Sequence, residues 1–429
     1  MPLVISPAKK LQGTLRVPGD KSISHRAVMI GSLATGKTEI EGFLPGEDCL
    51  STIRCMRALG VPIRRVHDLV TVEGRGLQGL QEPANILDVG NSGTTIRLIS
   101  GILAGQSFLS VLTGDSSIRR RPMGRVVKPL REMGAFIQGR QGGGFAPLVI
   151  QGGKLKPLTY HSLVASAQVK SAILLAGLFA PGWTEVREPA LSRNHTELML
   201  KAFGAEIEGE RTSTRIKGGA MLNGRKVTVP GDISSAAFFI VAGLIMPDAR
   251  IIIENVGLNP TRDGIIEVLR AMGAHLSIYD TQVVAGELMG TIEVQNSNLQ
   301  GIRVGGAIIP RLIDEIPILA VAALFAKGVT EIRDAAELKV KESNRIQAIC
   351  EGLTCLGGHV EELTDGLRIY GGKPLYGGVC HSRNDHRIAM SLAIAGLRAQ
   401  GETRVGEAES INISFPRFTE ILNGLKKER

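Results

Sequence analysis

Cations crowd the starts of apolar segments in this chain. VPGDKSISHRAVMI, residues 17–30, sets Lys21, His25 and Arg26 in the opening turns of an apolar helix. Arg97 in GNSGTTIRL and Arg387 in NDHRIAM occupy similar places. A helix N-terminus already carries a partial positive charge, so a cation there forgoes roughly 0.3–1 kcal/mol. A local rule broken repeatedly in equivalent places marks a site. The missing partner is an anion, which backbone N–H groups and charged side chains can grip together. Ser22 and Arg26 lie four apart on one helix face, as do Lys21 and His25.

Other stretches carry weaker signals of the same kind. TGDSSIRRRPM, residues 113–123, holds Arg119, Arg120 and Arg121 in a loop ended by Pro122. A charge run is usually a solvated face, which suffices for two of the three. ELKVKESNR, residues 337–345, puts Lys341 and Arg345 at i and i+4 with Glu342 between them. Like charges at that spacing repel unless an anion bridges them. Asp314 and Glu315 open another apolar helix, where either serves as a cap or, among cations, as an ionised base. His25, His195 and His386 show no metal-ligand spacing. There is no GxxxxGK[ST] loop and no GxGxxG after a strand, so neither a metal nor a nucleotide cofactor is expected.

The elements that must position these groups repeat. A polar start, an apolar helix of about a dozen residues, a turn and a short strand recur six times. The turns fall at Gly36, Gly105, Gly182, Asp248, Gly328 and Gly401, with spacings of 69, 77, 66, 80 and 73 residues. In five units a second helix follows and ends at Gly60, Gly134, Gly204, Gly273 or Gly357, each suited to a left-handed cap. The sixth offers only ILNGL, with Gly424 as its counterpart. The first helix of each unit is apolar nearly all round, as in AAFFIVAGLIM, and should be buried. The second helices carry charge and should face water. The pattern predicts an α/β fold with helices inside and sheets outside, arranged as two pseudo-symmetric domains of three units. Inner helices pointing one way would bring their starts to one surface.

Composition favours anionic partners in general without naming one. The 429 residues carry a formal charge of +9, with only 4% aromatic residues. Low aromatic content and dispersed cations argue against a stacking groove for nucleic acid. Five cysteines without CxxC spacing predict a reducing, cytoplasmic setting. No run of 18 apolar residues predicts a membrane span, and the N-terminal stretch lacks a signal-peptide core.

Taken in order, PGDKSISHR, GNSGTTIRL, GDSSIRRRPM, SAQVKSA, IDEIPILA, VKESNRI and NDHRIAM span nearly the whole chain. Together they resemble the 5-enolpyruvylshikimate-3-phosphate synthase family of enolpyruvyl transferases. The resemblance implies two inside-out α/β barrel domains of three βαβαββ repeats, residues 1–18 plus 230–429 and residues 19–229. It places the active site in the cleft between them. The implied reaction moves the enolpyruvyl group of phosphoenolpyruvate to the 5-hydroxyl of shikimate 3-phosphate, without a cofactor, in a monomer of the shikimate pathway.

Residue roles follow from the resemblance. Lys21, Ser22, Arg26, Ser166, Ala167, Gln168, Arg193, Asp314 and Lys341 match the shikimate 3-phosphate site. Lys21, Gly93, Arg121, Gln168, Arg345 and Arg387 match the phosphoenolpyruvate site, with His386 beside them. Asp314, Glu342 and Lys21 match the groups that move protons. INISFP lacks the lysine that some members carry near the C-terminus, having Ile413 and Ser414 there. Gly93 has no methyl, which leaves room for a phosphonate such as glyphosate. The UDP-N-acetylglucosamine enolpyruvyl transferases are the nearest alternative, but their mobile loop bears a cysteine that residues 113–123 lack. A basic nucleic-acid-binding protein is the alternative from another class.

Overall fold

The computed structural model describes residues 2–427. It divides into two compact units. One comprises residues 2–18, 230–282 and 288–427; the other comprises Gly19–Val229 with the short segment Val283–Glu287. The chain passes between them at residues 18–19 and 229–230 and at both ends of that segment.

The unit containing Gly19–Val229 has three four-stranded sheets of one topology. In the middle repeat, Leu87–Asp88 runs parallel to Leu109–Thr113, with Asp88 opposite Thr113. Leu109–Thr113 then pairs antiparallel with Phe145–Gln151, which hairpins with Phe136–Gly139. The parallel step needs a crossover, supplied by the helix Gly93–Ala104. The antiparallel step follows the second helix, Gly124–Glu132. Thr159–His161 opens the next repeat in the same way. Lys226–Thr228, from the end of the unit, supplies the parallel strand beside Thr35–Glu41.

The other unit repeats the scheme around Arg250–Gly257 and Val329–Ile332. Its last repeat stops short. Val379–His381 pairs with Thr403–Gly406, but the N-terminal strand Leu3–Ile5 takes the next position instead of a hairpin. The chain ends as helix Phe418–Leu425, whose next residues, Lys426–Lys427, pair with Lys10 and Leu11. Gly424 lies inside that helix, so the expectation that it ends a helix is wrong. Phe415 and Phe418 pack edge-on against Phe238 and Phe239 of an inner helix, with ring centres 5.6–6.2 Å apart among this group.

Six inner helices fill the centres of the units. They are Lys21–Leu33, Gly93–Ala104 and Ala167–Gly177 in one, and Ile233–Ile245, Ile316–Leu324 and His386–Gly396 in the other. All thirteen residues of Ile233–Ile245 and all nine of Ile316–Leu324 are buried. At about 1.5–3 kcal/mol for each large apolar side chain removed from water, such helices have no stable place on a surface. The second helices are amphipathic, as the alternation in Gly264–Ala271 shows.

Most predicted turn glycines have φ between +81° and +112°: Gly36, Gly60, Gly134, Gly182, Gly204, Gly273, Gly328, Gly357 and Gly401. Gly105 does not. Its φ is −90°, and a Cβ there would lie 2.2 Å from the Phe179 ring. Close helix packing, rather than turn geometry, requires that glycine.

Candidate functional site

In the unit of Gly19–Val229, hydrogen bonds tie the starts of the three inner helices together. Asp20, Ser92 and Ser166 cap them, accepting from the N–H groups of Ile23, Thr95 and Val169. His25 Nδ1 lies 2.7 Å from Thr52 Oγ1, which lies 2.8 Å from Thr95 Oγ1, which donates to Ser92 Oγ at 2.6 Å. Arg26 donates to Ser171 Oγ at 2.9 Å and to Thr196 Oγ1 at 2.6 Å. One chain of polar contacts thus links the Lys21 helix to the Gly93 helix, and another links it to the Ala167 helix.

Predicted phosphate-handling residues sit along these links. Gln168 accepts from Arg97 Nη1 at 2.8 Å and donates to Thr94 Oγ1 at 3.0 Å. Arg121 donates to Asn91 Oδ1 at 2.8 Å and to Ser117 Oγ at 3.2 Å, and its Nε is buried without an acceptor. A Cβ at Gly93 would stand 2.8 Å from Arg97 Nη1 and 3.0 Å from Arg121 Nη1. Asn91, Gly93, Arg97, Arg121 and Gln168 therefore form one group around the start of the Gly93 helix. Ser22 offers its carbonyl to Arg26 at 2.9 Å. Arg193 is near enough to oppose the Arg26 charge. Burial pulls the Arg26 guanidinium down to about 10, which still leaves it protonated at neutral pH.

Lys21 has a partner that sequence reading missed. Its Nζ lies 2.5 Å from Asp48 Oδ2, on the helix Glu47–Ala58. Asp48 reads in sequence as an ordinary first-turn acid, and nothing in the chain order links it to Lys21. His25, between these charges, is wholly buried, and burial lowers its pKa to about 3.

In the other unit, Arg345 organises the site. It is 1% exposed and donates to Glu342 Oε2 at 2.6 Å, Asp385 Oδ2 at 2.8 Å and Asp314 Oδ1 at 3.1 Å. Burial would discharge it, but the three carboxylates outweigh burial and hold it above its ordinary range. Burial also opposes the charge on Asp385, yet Arg345 keeps that carboxyl below the usual value. Asp385 caps the helix His386–Gly396, accepting from Arg387 N at 2.9 Å. Arg387 Nη1 donates to the Asp314 carbonyl at 3.3 Å, and Lys341 Nζ lies 3.7 Å from Asp314 Oδ1. Glu315, fully buried, faces Arg262 at 3.7 Å and Arg387 at 3.9 Å. Asp314, Lys341, Glu342, Arg345 and Arg387 are thereby gathered, with His386 buried beside them.

Of its two neighbouring cations, Glu342 bonds Arg345, while Lys341 faces Asp314. Arg345 is also engaged on three sides, so it would take a substrate carboxylate only in exchange for one of its own. Among the described residues, no three His, Cys, Asp or Glu side chains are grouped to hold a metal ion.

Solved structures define the class. An EPSP synthase from Acinetobacter baumannii aligns with a TM-score of 0.90 and 46% identity, over 99% of this chain and 98% of that one. A second structure of EPSP synthase from the same organism gives 0.90 and 45%, with the same coverage. Fold and sequence together are those of an EPSP synthase. A family model for EPSP synthase (3-phosphoshikimate 1-carboxyvinyltransferase) matches residues 5–422. A Desulforamulus reducens 3-phosphoshikimate 1-carboxyvinyltransferase is 58% identical over 98% of this chain and 99% of its own length. The Bacillus thuringiensis protein of that name is 55% identical over 99% of each chain. The chain belongs to the EPSP synthase family. These matches favour neither the UDP-N-acetylglucosamine transferase nor the nucleic-acid reading.

Proposed function

We propose that the chain transfers the enolpyruvyl group of phosphoenolpyruvate to the 5-hydroxyl of shikimate 3-phosphate and releases phosphate. The observation that carries the reading is the pair of carboxylates held on one guanidinium, Asp314 at 3.1 Å and Glu342 at 2.6 Å from Arg345. An addition–elimination needs such a pair. Asp314 accepts the proton of the attacking 5-hydroxyl as its oxygen bonds to C2 of phosphoenolpyruvate. Glu342, protonated once the substrate anions are bound, gives its proton to the methylene carbon, forming a tetrahedral adduct. The bond from C2 to the phosphate oxygen then breaks, the departing phosphate takes the proton held by Asp314, and a methyl proton returns to Glu342 as the double bond re-forms.

The remaining groups neutralise the four anionic groups of the two substrates. Lys21, Ser22, Arg26, Ser166, Ala167, Gln168 and Arg193, with Asp314 and Lys341, hold shikimate 3-phosphate. Lys21, Gly93, Arg121, Gln168, Arg345 and Arg387 hold phosphoenolpyruvate, with His386 in support. Fixed cations aimed at developing charge supply the electrostatic part of catalysis. Asp48 holds the Lys21 charge until an anion replaces it. The protein works as a cytoplasmic monomer; that none of its cysteines is in a disulfide fits a reducing compartment. No helix among the described residues is long and apolar enough to cross a membrane.

A phosphate-release assay tests this. Release should require both substrates and should fall by at least a hundredfold in folded Asp314→Ala and Lys21→Met variants. Release from phosphoenolpyruvate alone, or full activity in either variant, would overturn it.

A further inference from the structure

Lys170 is out of place. It sits in the first turns of the buried helix Ala167–Gly177 with its side chain 2% exposed, where lysine is seldom found unless paired. Its ammonium lies 2.7 Å from Glu197 Oε1 and 3.0 Å from Glu188 Oε2, and it donates to the Ser192 carbonyl at 3.4 Å. Each partner has a second task. Glu188 Oε1 accepts from the Ser166 backbone N–H at 3.0 Å, and Oε2 accepts from Ser192 Oγ at 2.8 Å. Glu197 follows Thr196, whose hydroxyl receives Arg26 and meets Ser171 Oγ at 2.6 Å.

Three separate pieces of the proposed shikimate 3-phosphate site therefore adjoin one ammonium, the first through Glu188, the second through the Ser192 carbonyl and the third through Glu197, the residue after Thr196. They are the Ser166–Gln168 segment, the loop carrying Arg193, and the hydroxyl pair that holds Arg26. Two carboxylates face one lysine, and Glu197 Oε2 is buried without a donor. Burial acts against the charge on Lys170, but Glu197 and Glu188 outweigh it and hold its pKa above the ordinary value. Without that charge, Glu197 would act unopposed on Arg26, which it already faces, with Arg193 close to Arg26.

We propose that Lys170 is a positioning residue that sets affinity for the phosphorylated substrate by occupying Glu188 and Glu197, so that Arg26 and Arg193 stay available to it. The inference rests on the site reading above. Lys170 touches no substrate. Its loss should act on one substrate rather than on the chemistry.

The test is steady-state kinetics with both substrates varied. Lys170→Met should raise KM for shikimate 3-phosphate at least tenfold, with kcat and KM for phosphoenolpyruvate within threefold of the parent. Adding Glu197→Gln should recover at least a third of that loss, because it removes the excess negative charge. Loosened packing would not be repaired by deleting another partner. Should Lys170→Met fail to fold, Lys170→Gln can still donate to both acids without charge and carries the same prediction. An unchanged KM, a loss shared equally by both substrates, or no recovery in the double variant would overturn the proposal. Ser166→Ala serves as a control. If it too leaves KM for shikimate 3-phosphate unchanged, the assignment of that segment fails; if it alone raises KM, only the role of Lys170 fails.

Discussion

Adding one methyl group at Gly93 should separate inhibitor binding from folding. The residue opens a helix, and its φ is not in the left-handed region, so alanine fits the backbone. Alanine is in fact preferred to glycine in helices, by up to about 1 kcal/mol. The new Cβ would lie 2.8 Å from Arg97 Nη1 and 3.0 Å from Arg121 Nη1, whereas ordinary contact begins at 3.4 Å. Both guanidinium heads must therefore withdraw by about half an ångström, a large step on the steep repulsive wall. Arg97 is tied to Gln168 and Arg121 to Asn91, each at 2.8 Å, so the shift strains those contacts. A displaced guanidinium that can no longer reach a bound anion forfeits one charge-assisted hydrogen bond to it, about 1.5–3 kcal/mol, or roughly ten- to a hundredfold in affinity. The measurement is inhibition by glyphosate, competed against phosphoenolpyruvate in the phosphate-release assay. Gly93→Ala should raise the inhibition constant by that factor while the variant still unfolds in one cooperative transition, the helix gain from alanine offsetting part of the strain. An unchanged inhibition constant in the folded variant would refute the steric argument.

Stability should also report on His25. Its pKa falls from 6.5 to about 3 on folding, so the unfolded chain binds the extra proton between those values. The folded state therefore loses stability as pH drops through that window, by about 2 kcal/mol at pH 5. Denaturant titrations at pH 7.5 and 5.0 should show this loss in the parent and not in His25→Gln; equal acid sensitivity would contradict it. Because the proposed substrate contacts come from both units, solution scattering should show a smaller radius of gyration with saturating shikimate 3-phosphate and glyphosate. Identical curves with and without ligands would count against closure.

Much of the architecture was legible because burial and punctuation agree. Helices apolar on every side have one physical destination, and Ile233–Ile245 and Ile316–Leu324 went there. Gly60 and its four counterparts were readable because only glycine enters the left-handed region at little cost. Gly105 misled because close packing against Phe179 demands the same residue for another reason. The short last repeat was visible only as a weak pattern, since its missing strand comes from the opposite end of the chain. Cations at helix starts were legible as anomalies. Their resting partners were not: Asp48 lies 27 residues from Lys21 and Asp314 lies 31 from Arg345, distances that only the fold closes. Asp385 caps its helix, yet it also holds Arg345, a second task that nothing near it in sequence signals. Lys170 was hidden inside SAQVKSA because its partners Glu188 and Glu197 lie well beyond that motif in sequence and only the fold brings them to it.

The central claim is that cations gathered at inner-helix starts in separate units serve one substrate. Titration calorimetry of shikimate 3-phosphate into the parent, Lys21→Met and Lys341→Met tests it most directly, since these lysines lie in different units. Each variant should bind at least tenfold more weakly than the parent. Parental affinity in either folded variant would show that its unit takes no part in holding that ligand.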